Sequence, residues 1–84
     1  MHNRAKGEIN RHVGSRLREI RERKGMLVEE AARRAGIPAG SYTCLENGWY
    51  RVNLDNLFRM LFAVGGRIDQ VWPKESKDVM ERSA

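Results

Sequence analysis

The stretch from residue 29 to 48, EEAARRAGIPAGSYTCLENG, admits few folds. Glu29 and Glu30 open it and Arg33 and Arg34 follow, the charge order that a helix dipole favours. Ala31, Ala32 and Ala35 give this helix, spanning about residues 28 to 35, a small apolar face, and Gly36 breaks it with a residue free to take positive φ. A second helix follows over 38 to 47, with Pro38 suited to a first helical position and Asn47-Gly48 to a stop. Ser41 offers an alternative cap for a shorter version, so a start at 38 or at 41 stays open. Tyr42 and Leu45, three residues apart, face inward with Ile37. So short a turn forces the two helices to cross sharply, and the alanines let them cross closely.

The flanks supply what this corner packs against. Residues 1–11 are polar and aperiodic, carry Arg4 and Lys6, and read as a flexible basic arm. From about 12 to 24, Val13, Leu17 and Ile20, with the Lys24 stem along the edge, recur at helical spacing before Gly25. GWYRV is a loop, with Trp49 read as a lid over the core. Asn53 then caps a helix with Leu54, Leu57, Leu61 and Val64 on one stripe, ended by Gly65-Gly66. RIDQVW forms a short last helix, stopped by Pro73, that returns Ile68, Val71 and Trp72 to the core. The tail over 74–84 is polar and frayed, although Val79 and Met80 are able to dock. No run has strand character. The reading is one all-α, five-helix domain over 12–73.

Charge narrows the partner. Sixteen Lys and Arg, mostly Arg, against eleven Asp and Glu leave +5, which favours a polyanion. A single cysteine excludes an internal disulfide, and the start MHNRAKGEIN has no apolar core of a signal peptide. The longest apolar run, Met60 to Val64, is far short of a membrane span. A soluble, cytoplasmic protein without a membrane partner is expected. His2, His12 and one Cys make no metal-ligand pattern, Gly65-Gly66 lacks the Lys and Ser/Thr of a phosphate loop, and no nucleophile motif is present. The chain is therefore not expected to be an enzyme or to need a metal or cofactor.

Five segments in order, VGSRLREIRERKGM, EEAARRAGIP, LENG, NLDNLFRML and AVGG followed by IDQVWP, resemble the lambda-repressor-like, XRE-type helix-turn-helix domain over about residues 12 to 73. The resemblance implies a five-helix lambda-repressor-like bundle in which the second helix lies across the DNA backbone and the third enters the major groove. It implies a buried ion pair between Arg21 and Glu46, and it makes Ala39, Gly40, Thr43 and Cys44 the base-facing positions. Phosphate contacts fall to Arg16, Ser41, Asn47, Tyr50 and Arg51. Three positions depart from the pattern. Val28 replaces a bracing glutamine, Pro38 replaces a Ser or Thr cap, and none of the four base-facing residues makes a bidentate base contact.

The expected function is therefore a transcriptional regulator, a repressor or autoregulator, that binds double-stranded DNA as a homodimer with much positioning and little direct readout. Thr43 and Ala39 are suited to thymine methyls, and shape readout, helped by an arginine in the arm, supplements them. Phe58 and Phe62 fall off the core stripe of their helix and are the candidate dimer surface. The alternative is a protein partner: the same scaffold kept as an interaction module, with weak and mostly non-specific DNA binding. Cys44 suits either a redox switch or a small neutral filler.

Overall fold

Helix breaks divide the chain as glycine and proline chemistry dictates. The computed structural model describes residues 2–72, and the readings made above for Pro73 and for the tail over 74–84 lie outside the described residues. Five helices follow in order: α1 (His2–Arg23), α2 (Val28–Ala35), α3 (Ala39–Glu46), α4 (Leu54–Val64) and α5 (Ile68–Val71). Among the described residues there is no strand. Gly36 takes φ +70 between α2 and α3, and its N–H returns to Arg33 O at 3.2 Å. An L side chain there would be strained, so this residue makes the tight corner possible.

The first helix corrects one reading. α1 begins at His2, so residues 2–11 are helical and Arg4 lies on a helix, not on an extended arm. The sequence of the segment is polar and aperiodic, which is why periodicity gave no sign of it. A helix already nucleated by its packed half propagates into solvent at little cost when no proline intervenes. The end of this extension also touches the body, where Asn10 Oδ1 accepts from Val52 N–H at 3.2 Å.

Packing is organised around α1. α3 and α5 lie against it, while α4 packs chiefly on the alanine face of α2. Ala31, Ala32 and Ala35 are buried, as are Val13, Leu17, Ile20, Tyr42, Leu45, Ile37 and Met26. The approach of α3 to α1 needs Gly14, because a Cβ there would lie 2.4 Å from the Leu45 carbonyl oxygen and 2.5 Å from that of Glu46. Beside this contact, Arg21 and Glu46 are 8% and 3% exposed and pair through two hydrogen bonds, Nε to Oε2 at 2.7 Å and Nη2 to Oε1 at 3.1 Å. The hydrogen bond to Glu46 holds the guanidinium in its charged form and raises its pKa further. Its remaining nitrogen donates to Met26 O at 2.8 Å. Removing either partner would leave the other charge buried, a loss of about 3–5 kcal/mol.

Several apolar side chains are not where the stripe reading put them. In α4 the buried arc is Leu57, Met60, Leu61, Ala63 and Val64, and Leu54 is exposed. Leu54 stands three residues before Leu57, ~60° further round the helix, which turns it toward Phe58 and away from Met60. Ile68 and Trp72 are also partly exposed and only Val71 of α5 is buried, because a single turn offers α1 one side. The Lys24 side chain is exposed, with its ammonium beside Gly65 at the end of α4.

Tyr42 is fully buried, and its hydroxyl has no hydrogen-bond partner among the described residues. Burial, reinforced by the Glu46 charge and opposed by Arg21, pushes its pKa up to about 12. The unfolded chain, with an ordinary tyrosine near ~10, releases this proton first. The stabilisation is therefore complete below pH ~10 and falls by about 2–3 kcal/mol as pH rises to ~12. Denaturation of wild type and Tyr42→Phe across this range should show that loss in wild type and remove it in the variant, with the variant at least as stable at neutral pH.

Candidate nucleic-acid interface

α3 starts without a side-chain cap. Pro38 is its N-cap at φ −56 and ψ 142, so the longer of the two alternative starts holds to within a residue. At the other end Asn47 N–H returns to Thr43 O at 3.0 Å and Trp49 N–H to Cys44 O at 3.0 Å. Tyr42, Leu45 and Glu46 are buried and fix the helix to the body. Ala39 and Gly40 are exposed, and Ser41, Thr43, Cys44 and Asn47 are half-buried. Residues 40, 43, 44 and 47 recur at helical spacing, so the outward stripe of α3 carries only small or short side chains. Gly40 is not required by packing, since a Cβ there would meet nothing within 4 Å. Cys44 is a free thiol.

Three of the five sequence-predicted phosphate residues converge. Ser41, Tyr50 and Arg51 line one groove of about 320 Å³, bounded by the α2–α3 turn, α3, the following loop and the first turns of α4. Asp55, Asn56 and Arg59 complete its polar wall. Arg59 Nε donates to Asp55 Oδ2 at 2.9 Å and Nη1 to Ala35 O at 3.4 Å, which carries its charge over the α2–α3 corner. Sequence reasoning missed Arg59. Its i, i+4 spacing from Asp55 was a usable sign that the side chain is held. Asn53 caps α4 as expected, accepting from Asn56 N–H at 2.7 Å.

The other two lie elsewhere. Asn47 Oδ1 accepts from Arg18 Nη2, and Arg18 Nε stands 3.6 Å from Glu46 Oε1. Arg18 thus brings a second missed cation to the C-terminal end of α3. Arg16 is tied to α5, its Nε donating to Gln70 O at 3.0 Å and its Nη1 to Glu19 at 2.6 Å. It does not join the groove. Cationic side chains therefore flank α3: Arg59 reaches the corner at its start, Arg51 lines the groove beside it, and Arg18 stands at its end.

The loop reading needs one correction. Trp49 is 73% exposed and covers no core; a loop aromatic carries no periodicity to show which way it faces. Tyr50 beside it is also exposed and lines the groove. Val28, at the departure noted in α2, is half-buried and packs against the core. Phe58 and Phe62 are exposed on α4. Among the described residues no three His, Cys, Asp or Glu side chains come together to hold a metal, and no helix is long and apolar enough to cross a membrane.

Because Gly40 is open on its outer side, Gly40→Ala should stabilise the fold by up to ~1 kcal/mol, read as a rise in the denaturation midpoint. A destabilised variant would contradict the placement of that residue.

No curated protein and no solved structure matches the chain. Residues 12–65, most of α1 through α4, match the family described as helix-turn-helix domain. That span contains the corner at Gly36, the alanine face and the presented helix α3, and the chain belongs to the helix-turn-helix domain family.

Proposed function

We propose that this chain is a lambda-repressor-like, XRE-type transcriptional regulator of the cytoplasm that binds specific double-stranded DNA as a homodimer, as a repressor or autoregulator, without catalysis of its own. The observation that carries the reading is the outward stripe of α3, set between the groove that holds Arg51 and Arg59 on one side and Arg18 at its far end. A helix lying in the major groove needs cations on both sides, where the two phosphate backbones run. Ser41, Tyr50, Arg51 and Arg59 grip one backbone, and Arg18 with Asn47 faces the other.

Readout on this stripe is economical. Ala39 and the Thr43 methyl pack on thymine methyls, and the Thr43 hydroxyl donates or accepts. The absence of a side chain at Gly40 lets the helix sit deep or leaves room for bridging water. One such module discriminates weakly, so two copies on a two-fold site supply both affinity and specificity. The exposure of Trp49, Phe58 and Phe62 favours a second reading, an interaction module that holds another protein and touches DNA only non-specifically.

Two substitutions separate the readings. Arg51→Ala should weaken binding to all duplexes alike and reduce the slope of log affinity against log salt by about one. Thr43→Ala should change which sequences are preferred, with a smaller change on random duplex. If Thr43→Ala leaves the ranking of sequences untouched, the interaction-module reading replaces the first.

A further inference from the structure

α4 presents two apolar faces. One is the buried arc described above. The other is Leu54, Phe58 and Phe62, spaced i, i+4 and i+8, which are 67%, 54% and 81% exposed. None of the described residues covers them, and Phe62 does not fold onto the turn at 65–67. Aromatic side chains offer about 150–250 Å² each, so this single stripe is on the order of 300–400 Å², about as large as a monomer's largest apolar patch usually is.

We propose that this face of α4 receives a second copy of the same chain, packed antiparallel across a two-fold axis at Phe58. The argument is self-complementarity. A two-fold interface pairs residue i with j and j with i. With the axis at Phe58, each Leu54 lies opposite the other copy's Phe62, and the two Phe58 rings meet at the centre. Asp55 and Arg59 sit together along one edge of the stripe, already paired at 2.9 Å within the chain. The two-fold brings the same edge of both helices to one side. Each Asp55 then lies ~3 Å along the axis from the other copy's Arg59, closing a ring of alternating charges at the rim.

The buried arc is centred ~130° round α4 from Phe58, with Leu61 bordering Leu54, so the second copy approaches from the Phe58 and Phe62 side. Two stripes together remove on the order of 600–800 Å², below the low end of specific stable interfaces, about 1,200 Å². The dimer is therefore weak and concentration-dependent. The inference rests on the DNA-binding reading for its purpose, two copies on one duplex, but not for its geometry. Its salt response also differs from DNA binding. Salt screens the repulsion between two copies of a chain at +5, whereas it weakens phosphate contacts.

The test is sedimentation of the full chain without DNA. Wild type should move from monomer to dimer as its concentration rises and should not dissociate when salt is added. Phe62→Glu, and independently Leu54→Lys, should remain monomeric with an unchanged helical spectrum. In a Cys44→Ser background, Phe58→Cys should cross-link to itself on mild oxidation far faster than Leu54→Cys. A wild type that stays monomeric at every concentration, including one whose stripe is covered by its own C-terminal segment, overturns the proposal. So does a dimer indifferent to both charged substitutions, or faster self-cross-linking by Leu54→Cys. Because no DNA is present, each of these failures leaves the DNA-binding reading standing, and a failure of that reading leaves the dimer measurement intact.

Discussion

Arg21 is bound to three acceptors at once, both carboxylate oxygens of Glu46 and the carbonyl of Met26. One side chain on α1 thereby ties the end of α3 to the loop that starts α2. An isolated charge at this depth would be costly, and here each guanidinium nitrogen and each carboxylate oxygen has a partner, which makes the burial tolerable. Gly14 brings α1 against the α3 carbonyls close to the same place. With the C-terminal end of α3 fixed by a directional bidentate contact and its start fixed by the Gly36 corner, the helix has no freedom to rotate about its own axis. That constraint decides which residues face outward.

What faces outward is small, and the physical consequences follow from size. Side chains as short as Ala39, Thr43 and Cys44 make no bidentate base contact; they permit close approach, and only the Thr43 hydroxyl adds a hydrogen bond. Position then has to be supplied from the rim, and the rim is where the arginines are. Arg59 is oriented by Asp55 and by the Ala35 carbonyl before any partner arrives, so less side-chain freedom remains to be lost on contact. On the proposed reading, the exposed apolar stripe of α4 has a matching part: a module that discriminates little alone would gain from a second copy.

Much of this architecture was legible in the residues, and the unread part has a common cause. Gly25, Gly36 and Gly65 all take the left-handed conformation at helix ends, a local requirement that one residue type announces. The alanine face of α2 and the inward pair Tyr42 and Leu45 followed from spacing alone. Position in a known pattern was needed to pair Arg21 with Glu46, since nothing local links residues 25 apart. Leu54 and Met60 were exchanged because an apolar-rich helix has two plausible stripes and only its neighbours choose between them. The start of α1 was missed because a polar segment shows no hydrophobic periodicity in its sequence. Arg18 and Arg59 were missed as flanking cations because their importance comes from where α3 lies, which is tertiary. For the site, the residue types on α3 were readable, while the division of the phosphate set between a shared groove, the far end of α3 and α5 was not.

The central claim is that a helix with almost no long side chains still selects a sequence. Selection from random duplex DNA by the purified full chain at near-physiological salt, followed by sequencing, tests it most directly. The account predicts enrichment of a two-fold motif with half-sites about one helical turn apart, ~10 base pairs centre to centre. No enrichment, with binding that disappears as salt rises, would contradict it and leave α3 as part of a basic scaffold.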